Sequence, residues 1–245
     1  MFEFIIFAME ELKAWAAELL NLDLSEEQIA AFSRYSDLLV EWNQKFNLTA
    51  IKEEKEILIK HFLDSLTCFK ILPRSGGYSL IDLGTGAGFP GIPLKIVNPA
   101  IQLTLSDSVR KKVDFCQVAA QELNLTSVHT NHSRAEDLGQ EKEYREKFDW
   151  TVARAVADMP VLVEYLLPLT RVGGKALVMK GAEIQDELQR AESALALLGG
   201  RISMLEFVSL PENSGERSLV LIEKVKHTPT AYPRKAGIPA KKPLL

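Results

Sequence analysis

Short apolar runs alternate with amphipathic segments of helical length from Gly76-Gly77 onward. An order of strand, helix, strand, helix is typical of a parallel sheet covered by helices on both faces. The predicted parallel strands are 79–83, 102–106, 128–131, 150–155 and 176–180, and the predicted helices between them include 108–123, 160–170 and 183–198.

The end of this region follows a different pattern. Residues 201–208 and 218–225 are both strand-like, and residues 211–215 between them have the composition of a turn and leave no room for a helix. Two such strands pair antiparallel. The predicted fold class is therefore α/β: a doubly wound sheet of seven strands, five of them parallel, closed by a terminal hairpin.

We expect three segments along the chain. Residues 1–75 contain apolar side chains at helical spacing and are predicted to form an N-terminal helical extension. Residues 76–226 form the sheet-containing core, and residues 227–245 form a basic, proline-rich tail that is predicted to be extended rather than helical. No function is assigned to residues 1–8.

Composition excludes several classes of protein. Hydrophobic residues make up 47% and charged residues 25%, which is ordinary for a globular chain rather than a disordered one. Cys68 and Cys116 lie in apolar runs without a Cys-x-x-Cys pair, so we expect two buried, reduced cysteines and no metal site. No apolar run has the length of a transmembrane helix, and the N-terminus does not resemble a signal peptide. A cytoplasmic protein with no membrane partner is expected.

Positive charge is concentrated at the C-terminus. The chain has a net charge of −4, yet the stretch from Lys224 to Leu245 holds six cations and no acid. A stretch of this kind is either a basic arm that contacts phosphate or a tail that only aids solubility.

A glycine-rich loop follows the first predicted strand and precedes a helix. Its glycines permit a tight turn and let a ligand approach the backbone. Residues 86–91 match the dinucleotide fingerprint G-x-G-x-x-G. The wider pattern Asp82-Leu83-Gly84-x-Gly86-x-Gly88 matches the loop of S-adenosylmethionine methyltransferases. The loop alone does not separate an NAD-dependent oxidoreductase from a methyltransferase.

The acid that ends the second predicted strand is compatible with both cofactors. Asp107 can accept hydrogen bonds from ribose hydroxyls, and it can equally serve as the N-cap of the following helix. The terminal hairpin is more informative, because a seven-stranded sheet with a reversed last strand resembles the methyltransferase variant of the doubly wound fold. A dinucleotide dehydrogenase would usually need a second domain for its substrate. The pattern therefore favours the methyltransferase.

Motifs from residue 39 to residue 241 carry a closer resemblance. They are 39–43 with 47–49, 60–66, 82–93, Asp107-Ser108 with Lys111-Lys112, 134–136, 153–157, Lys180-Gly181, and 232–235 with Gly237, Pro239 and Lys241. With these motifs the chain resembles the bacterial 16S rRNA guanine-N7 methyltransferase family, also called glucose-inhibited division protein B. The resemblance implies a class I methyltransferase fold, S-adenosyl-L-methionine as cofactor, and 16S rRNA or the small ribosomal subunit as partner of a monomeric enzyme.

The resemblance also implies a set of cofactor-binding residues. The glycine loop contributes Gly84, Gly86, Gly88 and Phe89. The adenosine part of the cofactor is surrounded by Asp107, Ser108 and Val109 after the second strand and framed by Ala135 and Glu136 after the third. Arg154, at the end of the fourth strand, is expected beside both the cofactor and the target base.

The predicted catalytic residues are Arg154, Lys180 and His61, in positioning roles. Guanine N7 has a lone pair and no proton, so its methylation needs no general base and depends mainly on positioning. Arg154 or Lys180 is expected to hold guanine O6 or a nearby phosphate. The alternative for Arg154 is a salt bridge to Asp149 or Asp158.

Two further sets of residues each leave two interpretations open. His61 and Asp64 lie three residues apart on one helical face, so they either line the pocket or form a His–carboxylate pair that holds the extension to the core. Trp42 and Phe46 either stack on bases or belong to the core. The candidates for contact with RNA phosphate are Arg110, Lys111 and Lys112, the N-terminal helices, and the tail. Lys60 and His61 are alternative candidates for the same contact. A non-catalytic nucleotide-binding module is a different class of function that the sequence leaves open.

Overall fold

A computed structural model describes the backbone of residues 2–245 and the side chains of residues 9–245. Residues 1–8, to which the sequence analysis assigns no function, have side chains outside this description. The strands are β1 (Ser79–Leu83), β2 (Gln102–Asp107), β3 (Val128–His132), β4 (Phe148–Arg154), β5 (Thr170–Gly181), β6 (Gly200–Ser209) and β7 (Glu216–Lys224).

Helices precede the sheet and connect its strands. The first two are α1 (Phe2–Leu20) and α2 (Glu26–Phe46). Next comes a continuous helical segment of α3 (Glu54–Ile57), a π-helical part (Leu58–Leu63), α4 (Asp64–Leu66) and a 3-10 part (Thr67–Lys70). The remaining helices are α5 (Gly91–Val97), α6 (Arg110–Glu122), α7 (Ala135–Leu138), α8 (Met159–Leu166), α9 (Gln185–Leu198) and α10 (Ile238–Lys241).

The seven strands form one sheet in the order β3-β2-β1-β4-β5-β7-β6. The first five strands pair parallel, and β7 pairs antiparallel with both β5 and β6. The predicted doubly wound, seven-stranded fold with an N-terminal helical extension is confirmed. The chain order reverses on either side of β1, where β2 and β4 are its two neighbours, and open α/β sheets bind ligands at such a point.

Helix boundaries differ from the prediction by a few residues, and two of the differences have a clear local cause. The helix predicted over 108–123 begins at Arg110, because the Asp107 carboxylate accepts a hydrogen bond from the backbone N–H of Val109 (2.9 Å) and holds that residue in an extended conformation. The helix predicted over 160–170 ends at Leu166, since Pro168 has no N–H with which to continue it.

Alternate residues of each central strand enter two apolar cores, one on each face of the sheet. Leu80 and Leu177 face the N-terminal helices, whereas the adjacent Ile81 and Val178 face α8 and α9. The N-terminal helices therefore share a core with the sheet. The division into 1–75, 76–226 and 227–245 stays a prediction.

Helix α2 connects the extension to the glycine loop. Its start has the capping box formed by Ser25 and Gln28. From its buried face, the Tyr35 hydroxyl donates a hydrogen bond to the carbonyl of Ala87. The Tyr35 ring also lies 5.3 Å from the ring of Phe89. These contacts fix the loop from the side opposite the sheet.

The tail is folded onto the core, and the prediction that it is extended throughout is wrong at α10. The Arg145 guanidinium donates to the carbonyls of Thr228, Pro229 and Tyr232 and so holds the start of the tail. Among the described residues, no helix is both long and apolar enough to cross a membrane.

Candidate functional site

A cleft of about 440 Å³ opens at the carboxyl ends of β1, β2 and β4. We call it the strand-end cleft. It is lined by the following residues: Leu83, Gly84, Ser106, Asp107, Ser108, Val109, Lys112, Ser133, Arg134, Ala135, Glu136, Arg154, Ala155, Val156, Ala157, Tyr165 and Ala240. Its volume is in the range of small-molecule and cofactor sites.

A second cleft, of about 590 Å³, lies on the other side of residues 154–157. We call it the arginine cleft. It is lined by Ile51, Lys60, His61, Asp64, Arg154, Ala155, Val156, Ala157, Met179, Lys180, Gly181 and Arg217. Because residues 154–157 line both clefts, the two clefts adjoin along this segment.

Most of the predicted cofactor residues come together in the strand-end cleft. Gly84 lies where the chain leaves β1, with φ of +69°, and a Cβ atom there would be 2.6 Å from Cγ2 of Val156 in the opposite wall. Only a residue without a side chain leaves this part of the cleft open. Asp107, Ser108, Val109, Ala135, Glu136 and Arg154 also line this cleft.

Asp107 ties the glycine loop to β2. Its Oδ2 accepts a hydrogen bond from the backbone N–H of Gly86 (2.9 Å), and its Oδ1 accepts one from Val109 (2.9 Å). The helix after β2 has Val109 as its N-cap, so the N-cap interpretation of Asp107 is wrong by two residues. Each carboxylate oxygen can accept a second bond from a ligand.

Three predicted cofactor residues line neither cleft. Gly86 donates to Asp107, and Gly88 lies against the side chains of Ile92 and Tyr35. Phe89 is buried, and its ring stacks on the His61 ring with centroids 4.4 Å apart. These residues shape and support the loop, and direct contact with a cofactor stays a prediction for all three.

Asp82 is a residue of the loop whose role the sequence did not indicate. It is fully buried at the end of β1, and burial raises the pKa of its carboxyl to about 6. Its Oδ2 accepts hydrogen bonds from the Thr85 hydroxyl (2.6 Å) and the Gly91 N–H (2.8 Å). Asp82 thereby joins the two ends of the loop.

Arg154 lies at the junction of the two clefts. Its guanidinium donates to the Lys60 carbonyl (3.0 Å), to Oδ2 of Asp64 (3.1 Å) and to Nδ1 of His61 (3.3 Å). It also lies 5.1 Å from the centroid of the Phe89 ring, within the range of a cation–π contact. The end of β4 is thus attached to the π-helical part of the extension.

The predicted alternative partners of Arg154 are wrong. Asp149 pairs with Arg171 (2.7 Å) at the amino end of the sheet, and Asp158 pairs with Arg190 (2.5 Å). Asp64 is distant in sequence and reaches Arg154 only because the extension packs across the strand ends.

His61 is held as a neutral imidazole. Burial lowers its pKa to about 3, with a further contribution from the Arg154 charge. Its Nε2 lies 2.9 Å from the Thr49 hydroxyl. One interpretation of the sequence was that His61 pairs with Asp64. The two side chains do not pair with each other, because Arg154 donates a hydrogen bond to each of them.

Asp64 lies between two arginines. Arg154 contacts its Oδ2, and Nε of Arg217 lies 3.1 Å from its Oδ1. Burial raises the pKa of the Asp64 carboxyl, and the two guanidinium groups oppose that shift. Arg217 has no motif to mark it, and it reaches the arginine cleft because β7 pairs with β5 with Arg217 opposite Gly181.

Lys180 lies in the wall of the arginine cleft. Its ammonium donates to the Ala157 carbonyl (2.6 Å) and is 2.6 Å from Oε2 of Glu187. The lysine therefore holds residues 154–157 by its hydrogen bond to Ala157, and one of its three N–H groups remains for a ligand.

Three of the other candidates, Trp42, Phe46 and Lys111, line neither cleft. Trp42 packs with its ring centroid 5.6 Å from that of Phe115, whereas Phe46 is 39% exposed. Lys111 donates to the Phe46 carbonyl (2.7 Å), and Lys112 lines the strand-end cleft. Among the side chains of residues 9–245, no three of His, Cys, Asp or Glu are placed to hold a metal ion.

Solved structures of low sequence identity share this fold. Geranyl diphosphate methyltransferase in complex with SAM superimposes with a TM-score of 0.53 at 12% identity, over 66% of this chain and 85% of that one. TrmN from Thermus thermophilus gives a TM-score of 0.52 at 15% identity, over 69% of this chain and 53% of that one.

Sequence relatives are far closer. Residues 28–220 match the family described as GidB, rRNA small subunit methyltransferase G. Proteins named ribosomal RNA small subunit methyltransferase G from Desulforamulus reducens and Alkaliphilus oremlandii are each 51% identical, over 94% and 93% of this chain and 95% of each relative. This chain therefore belongs to the GidB family of small-subunit rRNA methyltransferases.

Proposed function

We propose that the protein transfers the methyl group of S-adenosylmethionine to N7 of a guanine in a loop of 16S rRNA near the decoding site. The protein is, by its family, an S-adenosylmethionine-dependent methyltransferase of small-subunit rRNA. The proposal therefore concerns the target atom and the residues that hold the donor and the acceptor. The family gives no support to the oxidoreductase or to the non-catalytic module.

The observation that supports the assignment of the clefts is their shared wall, Arg154 to Ala157. Methyl transfer requires the acceptor nitrogen to lie close to the sulfonium methyl and in line with it, so donor and acceptor must occupy adjoining sites. We assign the donor to the strand-end cleft and the guanine to the arginine cleft.

The residues of the strand-end cleft fit the donor. Gly84 leaves space at the floor that a Cβ atom would fill, and the Asp107 carboxylate lies where ribose hydroxyls bind in sheets of this type. The Ser106 hydroxyl in the same lining is buried without a hydrogen-bond partner. When bound, the donor supplies an electrophilic methyl group.

The arginine cleft supplies positioning rather than proton transfer. Guanine N7 carries no proton, and His61, with its pKa of about 3, remains neutral at physiological pH. Arg154 and Lys180 retain N–H groups that can donate to guanine O6 or to a phosphate. In this proposal a guanidinium or ammonium held by the protein orients the base, and the neutral imidazole of His61 forms part of the wall.

The proposal extends to partner and location. The substrate is 16S rRNA, alone or in the small ribosomal subunit, and the enzyme acts in the cytoplasm as a monomer.

Methylation of isolated RNA tests the proposal directly. Small-subunit RNA from a strain that lacks this modification is incubated with the protein and S-adenosylmethionine labelled in the methyl group. We expect label in one guanine, at a position that becomes sensitive to chain cleavage after borohydride and aniline, as N7-methylguanine does. Label on another atom or base would contradict the target, and no label on RNA or subunits would contradict the activity.

A further inference from the structure

The C-terminal tail reaches the strand-end cleft. Arg234 is joined to Glu164 of α8 by its backbone N–H (2.8 Å), its Nε (2.9 Å) and its terminal guanidinium nitrogen (2.6 Å). Three residues further on, the N–H of Gly237 donates to Oε1 of Glu136 (2.8 Å). Ala240, in α10, lines the cleft itself.

Glu136 receives two hydrogen bonds at the same oxygen. Besides Gly237, the Tyr165 hydroxyl lies 3.3 Å from Oε1. The Glu136 carboxylate is almost buried, at 5% exposure, and lines the cleft. Both protein donors use Oε1, so Oε2 is left to accept a hydrogen bond from a ligand, such as the adenine amino group.

Because the tail is attached to α8 through Arg234, it is not the freely moving basic arm that was one of its two predicted roles. Glu164 is fully buried, and an unpaired carboxylate there would be costly, so Arg234 is committed to it. Lys224 is also buried, with its ammonium donating to the Leu167 carbonyl (2.7 Å). Two of the six cations that suggested a basic arm therefore serve the fold.

We propose that residues 236–245 form the adenine-side wall of the donor site and raise its affinity for S-adenosylmethionine, with Gly237 acting as a positioning residue through Glu136. The inference rests on the proposed function of the strand-end cleft. It assigns the tail to the donor, whereas charge alone suggested RNA.

The test compares a chain that ends at Lys235 with a full-length chain that carries Lys241→Ala and Lys242→Ala. Both variants lose the same two exposed cations, but only the shortened chain loses the Gly237 N–H and Ala240, and both keep Arg234 on Glu164. Calorimetric titration with S-adenosylhomocysteine in the absence of RNA should give a Kd raised roughly tenfold for the shortened chain. The double variant should bind like the parent chain.

A second variant guards against misfolding of the shortened chain. Ala240→Trp keeps the full length and the anchor, adds bulk to the wall, and should weaken binding of S-adenosylhomocysteine with an unchanged melting temperature. Unchanged Kd values in the shortened chain and in Ala240→Trp would overturn the inference. Equal loss of rRNA affinity in the shortened and double variants, with donor binding intact, would also overturn it and assign the tail to RNA. If the parent chain binds no S-adenosylhomocysteine, the proposed donor cleft itself is wrong.

Discussion

At the residue scale, the guanidinium of Arg154 contacts several of the predicted site residues. Arg154 contacts Asp64, His61, the Lys60 carbonyl and the Phe89 ring, and it lines both clefts. Its charge is held in place by groups that are themselves buried. Such a residue can orient a substrate at little entropic cost, because its own conformation is already determined.

Arg154→Lys tests this role while keeping the positive charge. An ammonium cannot reproduce the fork of donors toward Lys60, Asp64 and His61, so we expect kcat for rRNA methylation to fall by roughly 100-fold. The matched control is Arg190→Lys, because Arg190 is exposed and makes a paired contact with the half-buried Asp158. The control should change the free energy of unfolding and kcat little, since exposed pairs contribute about 0–1 kcal/mol. Equal kcat values in the two variants would rule out a positioning role for Arg154.

The lowered pKa of His61 predicts a pH dependence of stability. The folded pKa is about 3 and the reference value is 6.5, so between these values the unfolded chain binds a proton that the folded chain does not. The contribution of His61 to the free energy of unfolding therefore falls as the pH drops below 6.5, by up to about 1.4 kcal/mol per pH unit. Asp82 acts in the opposite direction, because its pKa in the folded chain is raised to about 6. Its contribution to the free energy of unfolding falls as the pH rises from 3.8 to 6.

His61→Gln separates the two groups. Urea unfolding of both chains between pH 7 and pH 4 should show that the stability difference shifts in favour of the variant as the pH is lowered. Parallel curves would mean that His61 has the same pKa in the folded and the unfolded chain, contrary to the effect of its burial.

At the element scale, the glycine loop is supported from three sides. Asp82 of β1 joins its two ends, Asp107 of β2 accepts the Gly86 N–H, and Tyr35 of α2 donates to the Ala87 carbonyl. These three contacts within the chain define the shape of the loop. A preformed loop avoids the entropic cost of ordering when the donor binds.

Two alanine substitutions distinguish space in the cleft from backbone strain. Gly84 and Gly86 both have positive φ, +69° and +61°, so Gly84→Ala and Gly86→Ala should each cost roughly 1–2 kcal/mol of unfolding free energy. A Cβ at Gly84 meets Val156 in the cleft wall, whereas a Cβ at Gly86 meets nothing within 4 Å. Only Gly84→Ala should raise the Kd for S-adenosylhomocysteine, by about tenfold, as expected for overpacking. Equal Kd values would show that Gly84 is needed only for the turn.

At the scale of the whole molecule, net charge is a poor guide to where RNA binds. The chain is acidic overall, with a net charge of −4, yet Lys60, Lys180, Arg154 and Arg217 surround one cleft. Local concentration of cations, rather than total charge, determines attraction to phosphate. RNA affinity should therefore be sensitive to salt although the protein is acidic.

Lys60→Ala tests this expectation. Removing one phosphate contact should reduce the slope of log K for rRNA against log salt concentration by about 0.7–0.9. Lys147→Ala is the control, because Lys147 is exposed just before β4, at the opposite edge of the sheet. Filter binding across a salt series measures both slopes. Identical slopes in Lys60→Ala and the parent chain would place RNA elsewhere.

Local sequence patterns were enough to predict the sheet, the helical extension, and the position of Gly84, Asp107, Glu136 and Arg154 at one edge of the sheet. These inferences depend on local period and on the rule that parallel strands end at the same edge, and neither requires knowledge of distant contacts. The folded chain was needed to find the partners of Arg154, the position of Arg217 in the arginine cleft, and the contact of the tail with Glu136. Each of these depends on a pairing between residues far apart in the chain, namely Arg154 with Asp64, Gly181 with Arg217, and Arg234 with Glu164. The sequence does not distinguish a charged side chain that is paired in the interior from one that remains available to a ligand. That difference depends on which neighbour each side chain is buried against in the folded chain.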